Sequence, residues 1–246
     1  MPMRPEADRP PLPKRPALPG LKGKVVLIMG GARGLGAAIG RVLGEEGATI
    51  VLADVMVARL KLYTAVLMEQ GIAAESVVVD VGNHLQVATA LREVHLRHGR
   101  LDGVINRSVT DVGVPLHALS VDDWERVVRT DLSGAFVVAK QAAALMLKDI
   151  AQAADGRLCH IVNILSSAAK QAGPGAVACH ATQWGLLGMS HALHAELRPH
   201  GVMVSAVVAG APQDPMSVAH AVRFVLTQPV GTVVPELSVM PLAEST

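Results

Sequence analysis

Residues 29–36 read MGGARGLG and stand where an apolar run, 24–29, gives way to a helical pattern starting at Leu35. Glycines at 30, 34 and 36 permit a tight turn and a close backbone approach. The N-terminus of a helix placed directly after them attracts a pyrophosphate. The same alternation runs through the chain. Short β-branched runs at 24–29, 49–54, 76–80, 103–106, 160–165, 203–208 and 232–234 are separated by amphipathic stretches at 35–47, 57–70, 84–98, 121–151, 177–199 and 215–227. This order predicts an α/β fold, a single-domain, doubly wound parallel sheet with helices on both faces.

Composition narrows the function. Net charge is +1, which leaves no electrostatic footprint for nucleic acid or an anionic membrane. No apolar run reaches the ~18 residues of a membrane-spanning helix. Two cysteines, Cys159 and Cys179, in an apolar chain suit reduced thiols in a cytoplasmic setting. Residues 1–20 carry seven prolines, at 2, 5, 10, 11, 13, 16 and 19, and read as an extended tail before a domain at 21–246. No metal site is expected. His191 and His194 share a helix face, but no further ligands accompany them.

A nucleotide site is legible around the glycines. Gly30, Arg33, Gly34, Leu35 and Gly36 form the turn and the first helical residues. Asp54 ends the second predicted strand, where a carboxylate can bond the adenosine ribose and repel a 2′-phosphate, favouring NAD. Arg33 pulls the other way.

From Ile161 to Gly188 the chain reads IVNILSSAAKQAGPGAVACHATQWGLLG. This resembles the active-site segment of the short-chain dehydrogenase/reductase family, IVNISS…PG…Y-x-x-x-K…G-x-x-G. The resemblance covers about residues 22–240 and implies a Rossmann-like domain that moves hydride between a nicotinamide and a substrate. It also implies that Asp80 and Val81 contact the adenine. The family's N-N-A-G becomes Asn106-Arg107-Ser108-Val109, which puts bulk next to the adenosine. Ser166 keeps the catalytic serine. The tyrosine falls on Cys179, the lysine on Gln183 and the catalytic asparagine on Asp131. The long lid after the sixth strand is replaced by a short run from Gly210 into the next helix.

These departures have physical content. A lysine ammonium lowers the pKa of the neighbouring tyrosine and holds the cofactor ribose; neutral Gln183 supplies no such field. The Cys179 thiol has a suitable reference pKa of about 8.5, but it is several ångström shorter than a phenol. Packing roles are therefore expected for Cys179 and Gln183, and for Asp131 the role of polar partner at a helix bend. With no intact catalytic set, the chain is expected to be a non-catalytic subunit. It would support an active NAD-dependent hydroxyacyl or alcohol dehydrogenase, a paralogue in a mixed tetramer joined through helices 121–151 and 177–199 and segment 230–241. On that reading this chain requires no cofactor; NAD binding is weak or vestigial, and the active partner binds it. Two alternatives stand beside it: an NAD-dependent oxidoreductase with an altered site built on Ser166 with Cys179 or His180, and a dinucleotide-sensing regulator.

Overall fold

The computed structural model describes residues 20–107, 110, 112–153, 157–210 and 214–242. The tail expected at 1–20 lies outside them save for Gly20, as do Ser108, Val109 and residues 211–213. Seven parallel strands form one sheet in the order β3-β2-β1-β4-β5-β6-β7. They are β1 (Val25–Met29), β2 (Thr49–Asp54), β3 (Ala74–Val78), β4 (Gly103–Asn106), β5 (Cys159–Ser166), β6 (Val202–Ala209) and β7 (Glu236–Val239). The helices are α1 (Gly34–Glu45), α2 (Val57–Glu69), α3 (His84–His98), α4 (Val121–Val127), α5 (Gly134–Gln152), α6 (Val177–Leu197) and α7 (Pro215–Leu226).

Strand chemistry explains the layering. Central strands of a parallel sheet are covered on both faces and therefore read as continuous apolar runs. In β1, Val26 and Ile28 pack with Ile39, Leu43, Leu60 and Val222 of α1, α2 and α7. Val25, Leu27 and Met29 face the other way, toward Val87, Leu91, Val138 and Met146 of α3 and α5. A third group, Leu165, Ala169, Leu186 and Val208, joins α6 to β5 and β6. Helix starts are capped by side chains where the sequence provides them. Asn83 Oδ1 accepts from Leu85 and Gln86 N–H, Ser120 Oγ from Asp123 N–H and Asp214 Oδ1 from Met216 N–H.

Two expectations from the sequence are corrected. The last strand is Glu236–Val239, not 232–234. Thr232 N–H closes a turn on Pro229 O, Val234 O accepts from Ser205 Oγ, and Pro235 has no N–H to give. Pairing with β6 begins only after that proline, with Ala206 opposite Glu236. The helical stretch at 121–151 is also not uniform. A π-helical segment, Val128–Ser133, separates α4 from α5. Thr130 Oγ1 donates to Arg126 O and Val127 O within that wide turn.

Between β5 and β6, toward the start of β5, lies a buried polar pair. Ser205 Oγ donates to Val234 O at 2.6 Å, so its oxygen is left to accept from His160 Nε2 at 2.8 Å. His160 therefore carries a hydrogen on Nε2. Burial, with the nearby charge of His194, pushes its pKa down to about 3. A larger cavity of about 310 Å³ lies beside it, lined by Leu21, Cys159 and Leu226. Burial pushes the Cys159 thiol up to about 12, so it stays protonated there.

The His160 shift sets a pH dependence. Its folded pKa lies below the unfolded value of 6.5, so its contribution is complete above 6.5 and is lost as pH falls toward 3. Denaturant unfolding from neutrality down to about pH 5 should therefore show stability falling by up to roughly 1.4 kcal/mol per pH unit. His160→Gln should flatten that slope.

Candidate functional site

The order of the sheet reverses between β1 and β4, and open α/β sheets bind ligands in the crevice at such a point. The glycine turn sits there. Gly30 has φ +78°, and a Cβ on it would lie 2.5 Å from Arg107 O. A Cβ on Gly36 would lie 2.7 Å from Gly30 O and from Gly31 Cα. Around Gly34 there is open space. The turn is thus closed toward the protein and open toward the crevice. Arg33 is the N-cap of α1 without a side-chain bond, so the first amides, at Gly34, Leu35 and Gly36, face outward with no intrahelical acceptor. That is a phosphate cradle.

Beside it lies a cleft of about 210 Å³, bounded by Gly30, Arg33, Asp54, Asp80, Val81, Arg107, Thr110 and Thr130. Asp54 ends β2 as expected. Its Oδ2 accepts from Ala32 N–H and its Oδ1 from Met56 N–H, both at 3.1 Å. Asp80 lies two residues past β3 and accepts from Gly82 N–H at 2.8 Å. Arg107 reaches the cleft from the end of β4, where the sequence predicted added bulk.

Asn106 is buried behind this cleft. Its Nδ2 donates to Ala135 O and to Asn163 Oδ1, both at 3.3 Å, while its Oδ1 has no partner among the described residues. Asp131 is fully buried at the π-helical bend. Its Oδ2 accepts Thr110 N–H at 2.6 Å, and its Oδ1 accepts the hydroxyls of Thr110 and Thr130 at 2.8 and 3.0 Å. It anchors the wall of the cleft.

The expected reaction centre lies at the end of β5. Gln183 Oε1 accepts Ser166 N–H at 2.8 Å. This long-range bond makes Gln183 more than the packing residue expected. Among the described residues, Ser166 Oγ and Gln183 Nε2 are both buried without a hydrogen-bond partner. Buried polar atoms are almost always paired, so each of these two has a hydrogen bond to offer to a water or a ligand. Cys179 is 7% exposed and carries no disulfide. It stands one turn before Gln183, on the same face of α6. His180 is not placed to act as a base. Its Nδ1 donates to Ala176 O at 2.7 Å and its Nε2 accepts from Gly173 N–H at 3.0 Å. Both ring nitrogens hold the loop entering α6. His191 pairs with Glu236, and His194 with Val204 O.

This arrangement of fold and site is that of a known group. Residues 24–221 match the short chain dehydrogenase family, and the chain belongs to it. A short chain dehydrogenase/reductase of Colletotrichum higginsianum is 31% identical over 192 residues, 78% of this chain and 70% of that protein. A 3-oxoacyl-acyl-carrier-protein reductase of Thermotoga maritima is 28% identical, covering 80% of this chain and 77% of that one. A metagenomic short-chain oxidoreductase solved in complex with NADP superposes with a TM-score of 0.83 at 31% identity, over 91% of this chain and 99% of that one.

These findings overturn the expected non-catalytic subunit. The relatives are named as a dehydrogenase/reductase, a reductase and an oxidoreductase, the last solved with NADP. The expectation that this chain requires no cofactor, with NAD vestigial and held by a partner, falls with it. The physical reason is in the cradle: the replacements of the tyrosine and lysine, Cys179 and Gln183, lie on α6, whereas the glycine turn, Asp54 and the α1 amides are in place.

Asp131 offers a direct check of how the cleft is held. Asp131→Ala removes acceptors for Thr110 N–H and two hydroxyls, and should lower stability by about 1.5–3 kcal/mol in denaturant unfolding. Asp131→Asn, which keeps one oxygen, should recover part of that loss.

Proposed function

We propose that this chain is an NAD(P)-dependent oxidoreductase that acts on an alcohol or carbonyl group through an altered proton-transfer set. The single observation that carries the reading is the pair of buried, unpartnered atoms Ser166 Oγ and Gln183 Nε2 beside an intact nucleotide cradle. The residues fit the dinucleotide. The open approach at Gly34 and the α1 amides would take its pyrophosphate, and Gln183 Nε2 would donate to its nicotinamide-side ribose. When bound, it supplies or takes the hydride.

The remaining roles belong to side chains. Ser166 donates its hydroxyl hydrogen to the substrate oxygen, which polarises a carbonyl and stabilises the alcohol's oxygen. Gln183 fixes Ser166 through the backbone bond, so the hydroxyl is presented from a rigid strand end. Cys179 stands where the resemblance puts the acid–base group, and with Ser166 it moves the proton. Asp131 and Thr110 hold the cleft wall. That the named relatives are oxidoreductases, one of them solved with NADP, supports the reading. The reduced state of Cys159 and Cys179 suits a cytoplasmic setting. Assembly with a second family subunit belongs to the same proposal, since Trp124, Phe136 and Trp184 are exposed along α4, α5 and α6.

The test is dinucleotide-dependent turnover of the purified chain on a panel of ketones, hydroxyacyl thioesters and secondary alcohols. Ser166→Ala should lower kcat/KM by roughly 100-fold or more. Cys179→Ala should lower it too and remove a limb of the pH profile. Dinucleotide binding without turnover across the panel would assign the second reading, a sensor, which the replacements at Cys179 and Gln183 favour. The absence of any dinucleotide binding would overturn both.

A further inference from the structure

The cavity of about 310 Å³ lies at the opposite end of the sheet from the glycine turn. It is bounded by the starts of β1, β4, β5 and β6 and by the end of α7. Register explains why it is there. Val26, Gly103 and His160 stand abreast on β1, β4 and β5, and residues abreast in a parallel sheet point to the same face. Gly103 has no side chain, so a gap opens between Val26 and His160, under Val225 and Leu226 of α7. A Cβ on Gly103 would lie 3.2 Å from Val26 Cγ2 and would close part of that gap. Leu21, Leu158 and Met203 complete apolar walls.

Two polar groups on this wall have bonds left to make. Among the described residues, Lys24 Nζ meets only Asp102, at 3.6 Å, which is beyond hydrogen-bond range. That carboxylate is already filled. Arg100 donates to both of its oxygens at 2.6 Å, and Val25 N–H donates at 2.9 Å. The ammonium therefore keeps its three N–H donors. His160 is the second group, 8% exposed and on the cavity wall. Its Nε2–H is spent on Ser205 and burial keeps the ring neutral, so Nδ1 is a bare acceptor. Among the described residues nothing donates to it. Lys24 stands two residues before Val26, and strand spacing and rise put its Cα about 12 Å from that of His160.

We propose that this cavity is a second ligand site, for a small apolar acid that carries a hydroxyl at the end remote from its carboxylate. The carboxylate would accept from Lys24 Nζ, the charge-assisted bond that the filled Asp102 leaves unmade. The hydroxyl would donate to His160 Nδ1. A second carboxylate there would face a bare acceptor, which excludes a dicarboxylate. The apolar body would lie over Gly103, against Leu21, Met203 and Leu226, and a single ring with groups at opposite ends suits the span. Sites for small molecules are built this way, with apolar walls and a few placed polar groups. The nucleotide cleft opens at the other ends of the strands, so this site goes beyond the oxidoreductase reading and does not depend on it.

The experiment is calorimetric titration of the full chain with 4-hydroxyphenylacetate and two analogues. Phenylacetate lacks the hydroxyl, and 4-hydroxyphenylacetamide lacks the charge. The wild type should bind the hydroxy acid, and each analogue roughly five- to ten-fold more weakly. Lys24→Met should weaken the hydroxy acid roughly ten-fold and bring it level with the amide. Gly103→Ala should weaken all three by narrowing the gap, and thermal unfolding of each variant would verify that it is folded. Saturating NADPH should leave the titration unchanged. The assignment is overturned if the wild type does not bind the hydroxy acid, or if Lys24→Met leaves its affinity unchanged. Competition by NADPH would overturn it too, since the acid would then sit in the nucleotide cleft.

Discussion

The reversal of strand order between β1 and β4 is the constraint on which the rest of the molecule depends. The connections leaving β1 and β4 run to opposite sides, so their ends splay apart and leave a crevice. The glycine turn fills the base of that crevice because nothing larger fits under Arg107 O. Packing α1 against β1 and β2 then aims its first amides outward. The cleft and Ser166 lie along the same strand ends, and α6 brings Gln183 to the second of them. No loop insertion is needed to assemble them.

The reaction centre differs from the rest of this frame in how its parts are connected. A tyrosine and lysine would form a charged pair on one helix face. Here that face carries Cys179 and Gln183, and the glutamine turns its oxygen back to the backbone of Ser166. A neutral amide does this well because it offers an acceptor to the strand and keeps two N–H donors for a ligand. The replacement therefore removes a field but keeps a donor. That distinction supports the oxidoreductase reading proposed above, as do the names of the relatives.

Much of the fold was legible because its elements obey one rule each. Strands buried on both faces are continuous β-branched runs, and the limits of β2 and β4 follow directly from their sequences. The rule failed at 232–234, which is β-branched but ends at Pro235, and the ladder could start only after it. The break between α4 and α5 carries no proline before Gly134. It coincides with Thr130, which donates back to Arg126 O and Val127 O, and with Asp131, which accepts from Thr110 on another loop. The site was legible where residues are adjacent, at 30–36 and 54, and hidden where pairing is distant. Ser166 and Gln183 are 17 residues apart, and only the fold brings them into contact.

The central claim is that a dinucleotide completes the polar atoms left unpaired at the end of β5. A crystal structure of the chain grown with NADPH measures this most directly. The account expects a ribose hydroxyl within hydrogen-bond distance of Gln183 Nε2, with Ser166 Oγ facing the reacting ring. A nucleotide bound away from the glycine turn, or one seated there with Gln183 Nε2 and Ser166 Oγ still uncontacted, would contradict it.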